Sequence, residues 1–280
     1  MKILVTGATG KVGARLVPRL LRQGHEVRML LRNEARAQHL ARLGAEPVPG
    51  DLLQPDSLKG AVRGTDAIVH LAAFFRGATA EEAQAVNLSG TVALAHAALE
   101  ADVARFIYAS TNLVYGPGQA SPFTETDSPN PMSAYPESKA ASERALLHLH
   151  QADGLGLRIL RLAFVYGDED PHLSEGLQWF RSWNPSQRIH LVHHGDVAQA
   201  IMLAANAADR DGEIYNVADD EPATAGEIMS LLKEPLADEN ANRPIDQAWQ
   251  QLVDTSKIKE QLGFRPAYPN LYSAALANVL

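Results

Sequence analysis

The sequence predicts an α/β fold in which helices cover both faces of a doubly wound, mainly parallel sheet. Short apolar segments alternate with longer helix-like segments, and the apolar segments are β-branched and nearly continuous, as in strands buried on both faces. The predicted strands are residues 3–6, 26–31, 46–48, 67–71, 105–109, 157–162 and 188–192. The predicted helices are residues 12–22, 34–43, 56–62, 81–100 and 135–151, with Gly24 expected just past the first helix.

Three glycines, Gly7, Gly10 and Gly13, follow the first predicted strand and open the first helix. A strand, a glycine turn and a helix start together bring a pyrophosphate against backbone N–H groups at the positive end of a helix. A P-loop is excluded, because only two residues separate Gly7 from Gly10-Lys11 and Val12 has no hydroxyl for magnesium. The pattern predicts a Rossmann fold that binds a dinucleotide.

Arg32 follows the second predicted strand, 19 positions after Gly13, where an NAD-binding protein carries an acidic residue. An arginine there suits the 2′-phosphate of NADP, and Arg36 and Lys11 add positive charge. NADP is therefore favoured over NAD. The alternative is that Arg32 and Arg36 are solvated residues at a helix start.

Two further segments follow strands at the same predicted edge. Asp51-Leu52 comes after the third strand, and Leu71-Ala72-Ala73 ends the fourth. The small Ala72 and Ala73 side chains would let a flat ring or a ribose lie on the backbone, and Asp51 would accept from an adenine amino group. Ordinary turn chemistry is the alternative for either segment.

Tyr135 and Lys139 lie four residues apart at the start of the fifth predicted helix, and therefore on one face. Ser133 is the expected N-cap, and Pro136 suits the first turn. An ammonium beside a phenol lowers the phenol pKa and makes it a proton donor or acceptor near neutral pH. The alternative is an ordinary pair on a helix surface. At the end of the fifth strand, Ser110 and Thr111 offer hydroxyls that can bind a substrate oxygen.

With these motifs in hand, the chain resembles the extended short-chain dehydrogenase/reductases, which include sugar-nucleotide epimerases and dehydratases. The resemblance runs nearly end to end and rests on Thr6 to Gly13, Gly50-Asp51-Leu52, His70 to Ala73, Val86-Asn87 with Gly90-Thr91, Ser110-Thr111 with Val114-Tyr115-Gly116, Tyr135 to Lys139, Leu160-Arg161, Val165-Tyr166-Gly167, His194 to Ala198, Tyr215-Asn216-Val217 and Leu262-Gly263-Phe264.

The resemblance implies roles for individual residues. Tyr135 would donate or accept the proton, Lys139 would hold the nicotinamide ribose and lower the Tyr135 pKa, and Thr111 would be the catalytic hydroxyl, with Ser110 in reserve. The expected cofactor-binding residues are Gly7, Thr9, Gly10, Lys11, Val12, Gly13, Arg32, Asp51, Leu52, Leu71, Ala72, Ala73, Tyr135 and Lys139.

The chain also departs from its relatives. Asn112-Leu113 stand where the resembling dehydratases carry an Asp-Glu pair, so dehydration is not expected. The segment between Gly167 and the strand around Leu191 is short for a diphosphate clamp and rich in acidic groups, which disfavours a nucleotide-sugar substrate. Trp179, Phe180 and Trp183 in that segment either line an apolar pocket or pack in a core.

The expected function is an NAD(P)-dependent oxidoreductase or epimerase acting on a secondary alcohol or ketone, with reduction favoured. The alternatives are an NAD-dependent sugar or nucleotide-sugar epimerase and a non-catalytic NADP-binding sensor. The expected domains are a dinucleotide-binding core over 1–165 and a mainly substrate-binding lobe over 166–280, from which 188–217 return to the core sheet.

Composition limits the partners. The net charge of −8 without a basic stretch makes a nucleic-acid partner unexpected, and the absence of cysteine excludes disulfides and thiolate metal sites. The histidines His190, His193 and His194 are not expected to hold a metal. No apolar stretch approaches a membrane span, so a cytoplasmic location is expected. The resemblance leaves a homodimer open.

Overall fold

The computed structural model describes residues 1–75, 79–235 and 237–280. Its strands are β1 (Lys2–Thr6), β2 (Glu26–Leu31), β3 (Glu46–Pro49), β4 (Ala67–His70), β5 (Arg105–Thr111), β6 (Leu157–Leu162), β7 (Phe164–Tyr166), β8 (Arg188–Ile189), β9 (Leu191–His193), β10 (Glu213–Val217) and β11 (Ala223–Thr224). Seven of these strands form one sheet in the order β10-β6-β5-β4-β1-β2-β3. The run from β3 through β2, β1 and β4 to β5 is parallel throughout, as predicted.

The helices are α1 (Lys11–Arg22), α2 (Gln38–Arg42), α3 (Pro55–Val62), α4 (Ala80–Ala83), α5 (Gly90–Glu100), α6 (Ala134–Asp153), α7 (His172–Glu175), α8 (Leu177–Phe180), α9 (His194–Asn206), α10 (Ala225–Leu231), α11 (Ser256–Leu262) and α12 (Leu271–Leu276). Helix α1 ends as predicted: Gly24 lies in the left-handed region with φ +80°, just beyond the C-cap Gln23. The predicted helix 81–100 is interrupted, because a π-helical turn, Gln84–Ser89, separates α4 from α5.

The register of the parallel strands brings their carboxyl ends to one edge. Thr6 at the end of β1 lies opposite Leu30 of β2 and His70 of β4, and His70 lies opposite Tyr108 of β5. The loops that follow these strands therefore begin side by side. In open α/β sheets this is the edge at which ligands bind.

Contacts divide the chain into two compact units. The first unit contains Met1–Thr111, Ser133–Leu160 and Ile201–Ile214, and the second contains Asn112–Met132, Arg161–Ala200 and Tyr215–Leu280. The chain therefore passes between the units several times. The assignment of 1–165 to a dinucleotide-binding core and of 166–280 mainly to a substrate-binding lobe, with 188–217 returning to the core sheet, stays a prediction. The core of the first unit packs α3, α5 and α6 on the sheet through side chains such as Leu58, Leu94 and Leu146.

The second unit holds two small sheets, β7 with β9 and β8 with β11. They correct the prediction of one continuous strand over 188–192. His190 interrupts that strand, because its ring accepts a hydrogen bond from Val253 N at 3.0 Å. Phe180 and Trp183 lie in the core of this unit. Within the described parts of the chain, the helices are all too short or too polar to cross a bilayer.

Candidate active site

The glycine turn after β1 leaves the backbone bare. Gly7 has φ +69°, and a Cβ added there would lie 2.7 Å from the backbone N of Ala72. Gly10 N donates to Gly7 O at 2.9 Å and closes the turn. A Cβ on Gly13 would collide with the carbonyl oxygen of Gly7. A side chain is therefore excluded at Gly7 by its conformation and by contact with neighbouring backbone, and at Gly13 by contact alone.

Helix α1 begins at this turn and runs for 12 residues, with Gly10 as its N-cap. Its first turn contains no acidic residue, and it begins with the exposed cation Lys11. Thr9 and Val12 are half-buried beside it. The positive end of the helix dipole and its unsatisfied N–H groups favour an anion here. The residues present therefore fit the pyrophosphate of a dinucleotide.

A directional chain of hydrogen bonds holds the end of β4 beside this turn. Ala72 N donates to Thr6 Oγ1 at 3.2 Å, and Thr6 Oγ1 lies 2.6 Å from His70 Nδ1. His70 Nε2 lies 2.8 Å from Thr91 Oγ1, which donates to Asn87 O at 2.6 Å. Because the Thr91 hydroxyl donates its one proton to Asn87 O, it must accept from His70 Nε2, and His70 Nδ1 then accepts from the Thr6 hydroxyl. These hydrogen bonds therefore require neutral His70 protonated at Nε2. Burial lowers the pKa of His70 to about 3, which keeps the ring neutral.

The other predicted cofactor residues surround the same edge. Arg32 is exposed directly after β2. Asp51 is half-buried, and its Oδ1 accepts a hydrogen bond from Leu53 N at 3.0 Å. Asp51 therefore makes the ordinary turn contact that the sequence left open as the alternative to adenine binding. Leu52 is buried. Leu71 and Ala72 are half-buried and Ala73 is exposed.

Helix α6 presents Tyr135 and Lys139 one turn apart. Ser133 is the N-cap, as predicted, although its side chain makes no capping hydrogen bond. Lys139 is only 2% exposed, and its Nζ lies 4.0 Å from the ring centre of Tyr108. Burial lowers the pKa of Lys139 to about 7, while Glu143 one turn further along opposes that shift.

The pKa of Tyr135 departs from the prediction. We expected Lys139 to lower it, but burial raises the pKa of Tyr135 well above that of a free phenol. The physical reason is that desolvation penalises both charged forms. It disfavours the phenolate, and it also brings Lys139 close to neutrality near pH 7. In this structure Tyr135 is therefore a protonated phenol.

Both predicted hydroxyls are buried at the end of β5. Thr111 is the last residue of the strand and is 7% exposed, and Ser110 is 4% exposed. The Ser110 hydroxyl has no hydrogen-bond partner among the described residues. The structure thus places these side chains in the same unit as Tyr135 and the glycine turn.

Asn87 is a site residue that the sequence reasoning used only as part of a motif. It lies in the π-helical turn, and its amide exchanges two hydrogen bonds with the backbone of Phe74, at 2.7 and 3.0 Å. Its Nδ2 also donates to Ser138 Oγ at 2.9 Å, and that hydroxyl donates to Tyr135 O. Asn87 therefore fixes the segment after β4 against the first turn of α6. The signal available in the sequence was an asparagine within a largely apolar helical segment.

Phe75 was also missed. Its ring packs edge-on against Tyr135, with the ring centroids 4.8 Å apart, although Phe75 is 42% exposed. An exposed aromatic ring against the tyrosine gives this side of the site an apolar surface.

The predicted histidine cluster does not converge on one point. His193 Nε2 lies 3.0 Å from Val279 O, while His194 Nε2 lies 2.8 Å from Asp170 Oδ2. His190 accepts from Val253 N. Across residues 1–75, 79–235 and 237–280, no group of side chains has an arrangement that could hold a metal ion.

Comparison with known proteins agrees with this geometry. The sequence model of the NAD dependent epimerase/dehydratase family matches residues 3–218. A ketoreductase of Stigmatella aurantiaca that acts on a farnesyl dihydroquinoline oxide is 31% identical, over 84% of this chain and 73% of its own length. A 3 beta-hydroxysteroid dehydrogenase/Delta 5-->4-isomerase of Mycobacterium tuberculosis is 32% identical, over 79% of this chain and 65% of its own length.

Solved structures resemble the whole chain. A short-chain dehydrogenase/reductase superfamily protein from Agrobacterium tumefaciens with bound NAD superposes with a TM-score of 0.82 and 26% identity, covering 99% of this chain and 97% of that one. The dTDP-glucose 4,6-dehydratase DesIV of Streptomyces venezuelae, with NAD bound, superposes with a TM-score of 0.81 and 28% identity, covering 99% of this chain and 95% of that one. The chain thus belongs to the NAD-dependent epimerase/dehydratase family, within the extended short-chain dehydrogenase/reductases.

Proposed function

We propose that this protein is an NAD(P)-dependent oxidoreductase that interconverts a ketone and a secondary alcohol. The observation that carries the proposal is Tyr135, one helical turn from the buried Lys139, in the unit that also holds the bare glycine turn. A phenol and an amine held this way can exchange a proton with a substrate oxygen. The nicotinamide cofactor would supply the hydride.

The residues take complementary roles in reduction. Tyr135 is protonated at neutral pH, so its hydroxyl can donate to the oxygen that develops when a carbonyl accepts hydride. Lys139, with a pKa of about 7, can return a proton to Tyr135 and hold the nicotinamide ribose. The Thr111 hydroxyl orients the substrate oxygen, with Ser110 beside it. Gly7, Gly10 and Gly13 position the cofactor pyrophosphate through the backbone.

The residues after Thr111 favour reduction over dehydration. Asn112 and Leu113 carry neither an acid nor a base, and Asn112 Nδ2 is used to donate to Gln251 O at 3.0 Å. Dehydratases are nevertheless among the relatives, including the dTDP-glucose 4,6-dehydratase of Actinoplanes, which is 28% identical over 95% of this chain. This chain differs from them in lacking an acid–base pair at residues 112 and 113.

NADP is the proposed cofactor. Arg32 is exposed beyond β2, and no carboxylate stands at that position to accept the ribose hydroxyls of NAD. The solved relatives described above contain NAD, so NAD is the alternative that a binding measurement must exclude.

The retained Tyr135 and Lys139 disfavour a non-catalytic sensor, which has no use for a buried amine beside a phenol. An NAD-dependent epimerase remains the second candidate, because its chemistry uses the same tyrosine and the same hydride transfer. The two enzymes differ in a measurable way: an epimerase retains its nucleotide and returns the hydride to the same substrate.

The test has two parts. The nucleotide released by denaturing the purified protein is identified by chromatography, and NADPH oxidation is followed with a panel of cyclic ketones that includes progesterone. Tyr135→Phe is expected to lower turnover by about 10²- to 10⁴-fold without changing NADPH binding. The matched control is Tyr272→Phe, at an exposed tyrosine of α12. Stoichiometric NAD retained through purification, or unchanged turnover in Tyr135→Phe, would overturn the proposal.

A further inference from the structure

The buried face of α6 carries charge in its first half. Its second half buries leucines, Leu146 and Leu149, whereas its first half buries two oppositely charged side chains, Lys139 and Glu143. Each of these two residues is only 2% exposed. Lysine and glutamate are almost never fully buried unless they are paired. Burial of both therefore indicates that each charge is compensated inside the protein.

Helical geometry brings Lys139 and Glu143 together. They are four residues apart, so they project from the same face of α6 on successive turns. Ser142 fixes this part of the helix, because its Oγ lies 2.6 Å from Asn87 O and 2.7 Å from Ser138 O. Burial lowers the pKa of Lys139 to about 7, and the Glu143 carboxylate opposes that shift. Glu143 therefore acts on Lys139 across one helical turn.

Three further ionisable groups surround Lys139. Tyr135 lies one turn before it on α6, and its Nζ lies 4.0 Å from the ring centre of Tyr108 on β5. Burial raises the pKa of both phenols, so both are protonated at neutral pH. Burial lowers the pKa of His70 on β4 to about 3, with the Lys139 charge adding to the effect, so this ring is neutral. Of these three groups and Glu143, only Glu143 offers Lys139 a negative charge.

The elements packed on α6 carry their other charges nearer to solvent. Helices α4 and α5 and strand β5 pack on α6. Their other charged or titratable side chains are exposed or half-buried, namely Glu81, Glu82, His96, Glu100 and Arg105. Solvent screens charges at such positions, whereas a buried pair interacts through a medium of lower dielectric constant. Glu143 is therefore the dominant electrostatic partner of Lys139.

We propose that Glu143 is a positioning residue whose buried carboxylate keeps Lys139 in its ammonium form while Tyr135 reacts. The inference rests on the proposed function, because it concerns the proton that Lys139 returns to Tyr135. In reduction Tyr135 gives its proton to the substrate oxygen, and Lys139 replaces that proton when it is an ammonium. Without the Glu143 charge, Lys139 would be largely a neutral amine at neutral pH and could not replace it.

The protonation of Lys139 can be measured without turnover. The protein is labelled with ¹³C at the lysine Cε, and the Lys139 signal, identified by its loss in Lys139→Met, is followed by NMR as the pH is changed. In Glu143→Gln we expect the midpoint of this titration to lie about one pH unit or more below that of the wild type. The matched control is Glu137→Gln, which removes an exposed carboxylate from the first turn of the same helix and should leave the midpoint unchanged.

A second variant keeps the charge. Glu143→Asp shortens the side chain by one methylene group, so its Lys139 midpoint should lie between those of the wild type and Glu143→Gln. Thermal unfolding and NADPH binding show whether each variant folds. If Glu143→Gln does not fold, a Lys139 midpoint in Glu143→Asp equal to that of the wild type would contradict the proposal.

The pH dependence of ketone reduction should follow the same titration. Because the ammonium is the active form, kcat falls as pH rises through the Lys139 pKa, and in Glu143→Gln this fall should occur at lower pH. Near pH 8 the kcat of Glu143→Gln should be about tenfold below that of the wild type, whereas near pH 5.5 the two should agree within about twofold. A purely structural role would lower kcat by the same factor at both pH values.

The outcomes separate the two proposals. An unchanged Lys139 midpoint in Glu143→Gln, or an equal loss of kcat at both pH values, would overturn the role of Glu143 and leave hydride chemistry at Tyr135 standing. A lowered midpoint in a protein whose turnover survives Tyr135→Phe would overturn the proposed function and leave the effect of Glu143 on Lys139 standing.

Discussion

Asn87 Nδ2 donates a hydrogen bond to Ser138 Oγ, 2.9 Å away, and Ser138 Oγ donates to the carbonyl oxygen of Tyr135 at 2.7 Å. The same asparagine holds Phe74 by both backbone groups. Because Asn87 is buried, these bonds form away from water, where an unpaired amide is costly. Asn87 is therefore a positioning residue between the end of β4 and the tyrosine helix.

Replacing this asparagine tests that role. Asn87→Ala leaves Phe74 N, Phe74 O and Ser138 Oγ without their partner, so we expect a loss of about 1–3 kcal/mol in unfolding free energy. We also expect kcat to fall more than KM for NADPH changes, because Tyr135 is displaced while the glycine turn is intact. Steady-state kinetics and denaturant unfolding measure both effects. Asn206→Ala, at an exposed asparagine, is the control; a stability loss with kcat preserved would reduce Asn87 to a packing role.

Gly7 and Gly24, which both have a positive φ angle, provide a matched pair of positions for testing the glycine turn. Gly7 and Gly24 both have positive φ, but an added Cβ at Gly24 meets nothing within 4 Å, whereas at Gly7 it meets Ala72 N at 2.7 Å. Gly24→Ala should therefore cost only the conformational strain, about 1–2 kcal/mol. Gly7→Ala should cost more and abolish NADPH binding. Calorimetric titration with NADPH decides between them, and equal affinity in the two variants would contradict the close-approach argument.

Arg32 should determine the choice of cofactor. Arg32→Asp removes a charge-assisted contact to the 2′-phosphate worth about 1.5–3 kcal/mol and adds a carboxylate suited to ribose hydroxyls. We expect NADP affinity to fall and NAD affinity to hold or rise. Kd values for both nucleotides, measured at one fixed ionic strength, provide the comparison. If both affinities fall equally, Arg32 does not contact the 2′-phosphate.

Asp219 should make stability depend on pH. It is 1% exposed, and burial raises the pKa of its carboxyl to about 9, with the carboxylates of Asp220 and Asp196 adding to the effect. Between about pH 4 and 9 the folded state then binds more protons than the unfolded state, so stability falls as pH rises through this window. Asp219→Asn should be neutral near pH 4 and stabilise by more than about 1 kcal/mol near pH 9.

Thermal unfolding at several pH values measures this effect. Asp153→Asn, at an exposed carboxylate near the end of α6, should leave the pH profile unchanged. A parallel profile for wild type and Asp219→Asn would show that the Asp219 carboxyl ionises normally in the folded protein.

The sequence predicted correctly those features that depend only on neighbouring residues in the chain. Gly7, Gly10 and Gly13 could be interpreted without tertiary context, because the turn itself excludes side chains. The parallel strands were predictable because burial on both faces leaves continuous apolar runs. The position of Tyr135 one helical turn before Lys139 in α6 followed from helical spacing alone.

The failures arose where tertiary surroundings act. The apolar pattern over 81–100 predicts one continuous helix. The structure instead forms a π-helical turn at Gln84–Ser89, where Asn87 makes hydrogen bonds with Phe74 and Ser138, which are distant in sequence. The direction of the Tyr135 pKa depends on burial, which spacing does not reveal. The strand predicted over 188–192 is divided at His190, whose Nδ1 accepts a hydrogen bond from Val253 N.

The widened turn Gln84–Ser89 constrains how this part of the chain can change in length. Deleting one residue there would restore ordinary α-helical geometry, which advances about 100° per residue. The resulting helix would be regular, but the residues after the deletion would be rotated relative to those before it. The Asn87 side-chain amide could then no longer reach both Phe74 and Ser138. Insertions and deletions within Gln84–Ser89 should therefore be tolerated far less well than substitutions.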